Sequence, residues 1–213
     1  MFSKMGHMTS PRVRMSPGVR REQLLELGVR LLATRSVDEL SIDLLAEEAG
    51  ISRGLLYHYF GGKQEFHTAV VRRAADQLFA VTAPTGEGTS LEQLAGSLER
   101  YVDYVTQNYH GYLSLVRGAA GGHEELRAIY EEARAALTGR LFEGPAAEET
   151  RALGLTDTPV VRLLVHGWAA FVEDVVLEWA RDPGPISRDD LLLTLAASLP
   201  GILSPMRPDP SAG

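Results

Sequence analysis

Residues 41–66 read Ser-Ile-Asp-Leu-Leu-Ala-Glu-Glu-Ala-Gly-Ile-Ser-Arg-Gly-Leu-Leu-Tyr-His-Tyr-Phe-Gly-Gly-Lys-Gln-Glu-Phe. The spacing predicts two short helices about a tight turn, with a third helix starting directly afterwards. Ser41 is a good N-cap, and Leu44, Leu45 and Ala49 put an apolar stripe on the first helix. Gly50 supplies the left-handed position that ends a helix, and Ile51 plugs the corner. Ser52 caps the second helix, where Leu55, Leu56 and Phe60 are expected to face inward. Arg53, Gly54, Tyr57, His58 and Tyr59 are left to point outward to varying degrees. A solvated helix face is usually rich in Glu and Lys. This one is small, aromatic and basic, without an acid between Ser52 and Gln64. Such a face suits the major groove of DNA, where the second helix of a helix-turn-helix reads base edges. The plainer alternative is an ordinary surface helical hairpin.

The segment resembles the DNA-binding signature of the tetracycline-repressor (TetR) family of bacterial regulators. The second half of that signature runs Val/Ile-Ser-x-Gly-x-Leu-Tyr-x-His/Tyr-Phe-x-x-Lys-x-x-Leu/Phe. Here its places are filled by Ile51, Ser52, Gly54, Leu56, Tyr57, Tyr59, Phe60, Lys63 and Phe66. The resemblance implies that Tyr57, Tyr59 and Lys63 clamp phosphates while Arg53, Gly54 and His58 lie against base edges. Ser41, Ser52 and Leu55 complete the expected DNA-binding set. His58 stands where the family more often has Tyr or Trp, so the operator sequence is not legible from this helix.

The chemistry of these residues agrees with those roles. A lysine opening a helix adds its charge to free amides and a dipole that already favour an anion. Tyrosine hydroxyls at helical spacing bond successive phosphates and fix register without reading sequence. Arg53, at the N-terminal end of its helix, suits bidentate reading of a guanine, and Gly54 lets the backbone approach closely. An ion pair of Arg53 with Glu47 or Glu48 is the competing reading, as is packing of Tyr57 on the preceding helices.

The chain has 213 residues, 45% of them hydrophobic, and a net charge of −7. That charge alone argues against nucleic acid, but its distribution does not. Residues 1–75 hold 11 Lys and Arg against 8 Asp and Glu, leaving 10 against 20 for the remainder. A basic N-terminal part on an acidic body is the asymmetry expected of a DNA reader carried by a second, non-DNA-binding unit. With 0 cysteines there is no disulfide framework and no thiolate site. No apolar leader is visible, so a cytoplasmic location is expected. The most hydrophobic stretch, residues 160–179, carries Arg162, His166, Glu173, Asp174 and Glu178 and reads as a buried helix rather than a membrane span.

The pattern outside the motif is helical throughout, giving an all-α expectation of about nine helices. A three-helix N-terminal helix-turn-helix unit is followed by an antiparallel helical bundle. Residues 1–17 read as an expression scar and flexible basic arm, 18–62 as the DNA-binding unit, 63–205 as a sensing and dimerisation unit, and 206–213 as a disordered tail. Within the body, helices are expected from Lys63 to Val81, from Leu91 to Tyr109 behind a Ser90-Leu-Glu-Gln capping box, and around Tyr112–Gly118. Further helices are expected over 123–142, 160–181 and from Ser187 to Pro200-Gly201, with a mobile linker over 143–157.

The 160–179 helix is apolar nearly all round, which implies burial on two sides. Its small residues Gly167, Ala169 and Ala170 permit close helix approach. With the last helix it is expected to build a four-helix dimer interface from Val161, Leu164, Gly167, Trp168, Phe171, Val175, Leu192, Leu195 and Leu199. A dimer places two reading heads on a two-fold axis, matching a palindrome. Burial of the same helix within a monomer is the alternative. The resemblance also implies a pocket for a small-molecule effector, for which Tyr101, Tyr104, Tyr112, Arg117, His166, Trp168 and Phe171 are the candidates, with Glu173 to orient a polar group. Aromatics at such spacing serve equally well as core. No Gly-x-Ser-x-Gly, His-Glu-x-x-His or phosphate-cradling glycine loop is present, and the 6 histidines show no metal-ligand spacing. A non-enzymatic regulator without metal or cofactor is therefore expected, with double-stranded DNA, a second copy of itself and an unidentified small molecule as partners. The competing classes are a helical carrier or enzyme without DNA binding, and a DNA-binding protein blind to ligands.

Overall fold

The computed structural model describes residues 16–143, 147 and 156–204. The expected arm up to residue 15, most of the expected linker and the expected tail lie outside them. Every regular element among the described residues is helical: α1 Pro17–Leu32, α2 Ile42–Ala49, α3 Arg53–Phe60, α4 Lys63–Val81, α5 Ser90–Gln107, α6 Tyr109–Ala120, α7 Glu124–Gly139 with a short turn Arg140–Phe142, α8 Pro159–Arg181 and α9 Arg188–Leu203.

Local chemistry sets the boundaries. Ser41 Oγ accepts from Leu44 N at 3.0 Å and Ser52 Oγ from Leu55 N at 3.3 Å, so each helix of the motif starts on its own serine. Gly50 ends α2 at φ 63°, the left-handed conformation that a side chain resists. The box before α5 lies one residue earlier than expected. Thr89 is the cap, its Oγ1 accepting from Glu92 N, while Glu92 Oε2 accepts from Thr89 N at 2.7 Å. A carboxylate accepts better from the backbone than an amide, and Gln93 turns instead to the Gly88 carbonyl. Helix α6 begins earlier than expected because Asn108 both closes α5 and opens α6. Helix α9 runs through Pro200 to Leu203, which packs in the core behind Leu199.

Two apolar cores result. The first joins α1, α2, α3 and the start of α4 around Leu24, Leu45, Leu56, Phe60, Phe66 and Val70, with Ile129 of α7 reaching into it. The second gathers Leu98, Val102 and Val105 of α5 with the inner faces of α8 and α9. Burial of Leu56, Phe60 and Phe66 on one side fixes the angle of α3 and leaves its opposite face in solvent. Contrary to expectation, Leu55 is exposed. Leu55 sits one position before Leu56, about 100° round the helix, and Leu56 and Phe60 take the buried side.

Val161, Trp168, Leu195 and Leu199, expected at a dimer interface, point into the chain's own second core, where they fill the space between α5, α8 and α9. The outer face of α8 carries Val160, Leu163, Gly167 and Phe171 and that of α9 Leu193, with Leu163 69% and Leu193 71% exposed. Leu164, Val175 and Leu192 lie half-buried at its edge. Among the described residues no helix is long and apolar enough to cross a membrane.

Candidate nucleic-acid interface and effector cavity

Helix α3 presents Arg53, Gly54, Leu55, Tyr57 and His58 on one exposed surface, with Ser52 at its end. Ser41 is set back, half-buried at the start of α2. Tyr59 is the least exposed of the outward set, half-buried and packed against the first core. Arg53 pairs with neither Glu47 nor Glu48. Its Nε lies 2.6 Å from Asp43 Oδ1 on α2, with side chains 64% and 61% exposed. The pair is solvent-screened and weak, about 0.2–1 kcal/mol.

Lys63 opens α4 behind Gly62, a cap without a side-chain hydrogen bond. The Nζ of Lys63 donates to the Asp38 carbonyl at 3.4 Å. An uncapped helix start beside a lysine retains both charge and amides for a phosphate. Four residues on, His67 is buried and donates Nε2–H to the Leu40 carbonyl at 2.5 Å, tying α4 to the segment before α2. Burial pushes its pKa below the ordinary 6.5, against the opposing pull of that hydrogen bond. The imidazole is thereby held neutral.

A cavity of about 220 Å³ lies between the head and the body. Its walls include Val29 and Leu32 of α1, Val71, Ala74 and Leu78 of α4, and residues of α5, α6, α7 and α8. Tyr101, Tyr104, Tyr112, Trp168 and Glu173 line it; Arg117, His166 and Phe171 do not. Arg117 and His166 are exposed, with the His166 carbonyl accepting from Arg134, and Phe171 belongs to the outer face of α8. Sequence reasoning missed Tyr130, Arg134, Asn108 and Arg140 as lining residues. Tyr130 stands on the inward stripe of α7, four residues before Arg134. Polar-tipped side chains on an inward face were the signal available.

The polar wall is a single network. Tyr112 Oη donates to Glu173 Oε2 at 2.8 Å and Tyr130 Oη to Glu173 Oε1 at 2.6 Å. Arg134 Nη1 donates to Tyr130 Oη at 2.7 Å, and Tyr101 and Tyr112 meet oxygen to oxygen at 2.9 Å. Burial, reinforced by the Glu173 charge, raises the pKa of Tyr101 and pushes Tyr130 up to about 12. Tyr104 donates to the Ala74 carbonyl of α4 at 2.8 Å, and burial raises it to about 12 as well. The phenols are therefore neutral donors at physiological pH. Among the described residues no group of acids and histidines is placed to hold a metal ion.

A helix-turn-helix with an exposed, acid-free second helix, mounted on a helical body with a cavity at the joint, defines a DNA-binding regulator. Residues 24–70 match the family model "Bacterial regulatory proteins, tetR family", and residues 91–199 match "Tetracyclin repressor-like, C-terminal domain". The chain belongs to the TetR family of transcriptional regulators. It is 25% identical over 178 residues to the HTH-type transcriptional activator FasR of Mycolicibacterium smegmatis, covering 83% of this chain and 79% of that protein. The HTH-type transcriptional regulator BetI of Brucella canis is 34% identical over 68 residues, only 32% of this chain and 34% of BetI. A tetR-family transcriptional regulator from Streptomyces coelicolor superposes with a TM-score of 0.75 at 31% identity, covering 89% of this chain and 82% of that one. These relatives are regulators of transcription, not enzymes.

Proposed function

We propose that this protein is a ligand-responsive repressor that binds a palindromic operator as a homodimer and releases it when a small molecule fills the cavity. The observation that carries the reading is the composition of the cavity wall. Val29 and Leu32 of α1 and Val71, Ala74 and Leu78 of α4 share it with the body, so an occupant presses directly on helices that carry the head. Arg53 and His58 are assigned to base edges, with Gly54 and Leu55 at the groove. Tyr57, Tyr59 and Lys63 are assigned to phosphates, and Ser41 and Ser52 to the amides that anchor the motif. Dimerisation is assigned to the outer face of α8 and α9. The apolar Val160, Leu163, Phe171 and Leu193 there suit a second copy, and an added Cβ on Gly167 meets nothing within 4 Å.

The acidic body is held away from phosphates, so the ligand acts by geometry, favouring a dimer whose heads no longer match groove repeats about 34–36 Å apart. Helix α4 is the lever, gripping phosphate through Lys63 at one end and packing on the body at the other. One observation favours a second sign of regulation, activation: the relative FasR is named an activator. The deciding experiment is titration of a fragment carrying the chain's own upstream region, by mobility shift and a promoter reporter, with light scattering of the free protein. Dimers that shift the fragment and silence the reporter support repression. Raised reporter output transfers the reading to activation. A monomer that shifts no promoter fragment overturns both.

A further inference from the structure

The polar wall of the cavity has a direction, and that direction selects a ligand chemistry. A phenol has one proton to give. That of Tyr112 goes to Glu173 Oε2, so in the Tyr101–Tyr112 contact Tyr101 must be the donor. The proton of Tyr130 goes to Glu173 Oε1, and Tyr130 in turn accepts from Arg134. Three hydroxyl protons therefore run toward one carboxylate. Other donors around the cavity are committed as well: Tyr104 to the Ala74 carbonyl, Asn108 Nδ2 to the Tyr104 carbonyl, Trp168 Nε1 to Ser198 and Thr138 to the Arg134 carbonyl. The guanidinium of Arg134 gives Nη1 to Tyr130 and Nη2 to the His166 carbonyl, and its buried, unpartnered Nε belongs to a group lying 5.8 Å over the Tyr130 ring. What the network still offers an occupant is acceptor capacity, chiefly the Tyr101 oxygen and the Glu173 carboxylate.

We propose that the effector of this chain is an apolar molecule whose polar end donates hydrogen bonds, a hydroxyl or an ammonium group, and not a carboxylate or phosphate. A donor completes the network without disturbing it. An anion meets the Glu173 carboxylate and oxygen lone pairs in a mostly apolar wall, while the Arg134 and Arg140 guanidinium groups that line it already donate to Tyr130, the His166 carbonyl, Thr82 and the Phe79 carbonyl. The raised pKa values of Tyr101, Tyr112 and Tyr130 agree, since phenols that keep their protons keep the direction of the chain. Size follows from volume. A dry cavity of about 150 Å³ takes benzene, so 220 Å³ accommodates a two-ring body. The proposal deepens the regulatory reading above and rests on it for the word effector.

The test is isothermal titration of the full chain with four probes on one ring system: naphthalene, naphthylmethanol, naphthylmethylamine and naphthoate. Alcohol and amine should each bind about tenfold or more tighter than naphthoate, the gain of a donor placed on a charged acceptor. Tyr101→Phe, which removes only an oxygen, should weaken the alcohol severalfold and leave naphthalene unchanged. Glu173→Gln should narrow the gap between amine and naphthoate. Naphthoate binding as tightly as the alcohol overturns the proposal, as does equal loss of all probes in Tyr101→Phe, or binding of none. Operator release is measured separately by fluorescence anisotropy. The predicted order of affinities without release leaves the donor selectivity standing and removes the regulatory role. Release by naphthoate alone does the reverse.

Discussion

Gly111 is buried near the start of α6, where that helix crosses the end of α1. A Cβ built there lies 2.6 Å from Leu32 Cβ and 2.9 Å from the Leu32 carbonyl oxygen. Ordinary contact begins near 3.4 Å, so the helices must part by about 0.8 Å. The obstacle is backbone on a helix packed into the first core, not the tip of a flexible side chain. Overpacking of this kind costs about 1–3 kcal/mol. Against it stands the usual gain of replacing a helical glycine with alanine, about 0.5–1 kcal/mol. The clash wins, and Gly111→Ala should be destabilised by about 1–2 kcal/mol. For a chain of this size that lowers Tm by about 2–8 °C. Equilibrium urea unfolding with a calorimetric scan measures both. A variant as stable as the parent would show that α1 and α6 do not meet this closely, and the picture of a tight head-to-body joint would fail with it.

Gly54 gives the opposite sign, since a Cβ there meets nothing within 4 Å. Gly54→Ala should raise stability by about 0.5–1 kcal/mol while weakening operator binding, if backbone and DNA approach at that point; unchanged affinity by anisotropy removes Gly54 from the interface. Asp43→Asn should free Arg53 from its exposed pair and tighten specific DNA binding by about 1.4- to 5-fold with little change in Tm, whereas Arg53→Ala should lose about 1–3 kcal/mol at one base step. Equal effects of Arg53→Ala on specific and scrambled DNA refute base reading. His67 sets an acid limit. Its folded pKa lies below the unfolded 6.5, so the unfolded state binds the proton first. The stability it contributes is complete above that value and lost as pH falls toward the folded one. Tm measured from about pH 7.5 down to 5 should drop in the parent and drop less in His67→Gln.

The helix-turn-helix was legible because local chemistry specifies it. Ser41, Gly50 and Ser52 act within one turn of themselves, and their roles survive in the folded chain. The same locality explains the misreadings. Periodicity on α8 shows that two faces are apolar but not which of them meets the chain's own α5. Trp168 and Leu195 therefore went to the dimer face while exposed Leu163 and Leu193 went unmentioned. The cavity is a property of six helices at once, including Val29 and Leu32 from the head. No spacing within one helix announces a wall shared with another, so Tyr101 and Tyr112 were found by type, while Arg134 was missed and Arg117 wrongly included. Arg53 is the intermediate case. The competing reading put an acid partner at the C-terminal end of α2. The turn brings Arg53 instead over the first turn of α2, beside Asp43.

The joint at Gly111 and the cavity are one structure. Leu32 and Gly111 both line the cavity, and three residues beyond Gly111 Ser114 Oγ accepts from Val37 N at 3.1 Å, fastening α6 to the segment that leads into α2. Leu115 packs on the first core from the same helix. A ligand that shifts α6 therefore shifts an anchor of the head, and α4 is moved from its own wall at Val71 and Leu78. Coupling through such a contact is reciprocal and typically amounts to about 1–3 kcal/mol, so naphthylmethanol should bind the free protein about 5- to 150-fold tighter than the operator complex. Ser114→Ala removes the anchor without touching probe or DNA. Its affinity for naphthylmethanol in the free state should remain that of the parent, while the ratio between free and operator-bound states falls toward one. An undiminished ratio in Ser114→Ala assigns transmission to α4 alone, and a ratio of one in the parent removes the switch altogether.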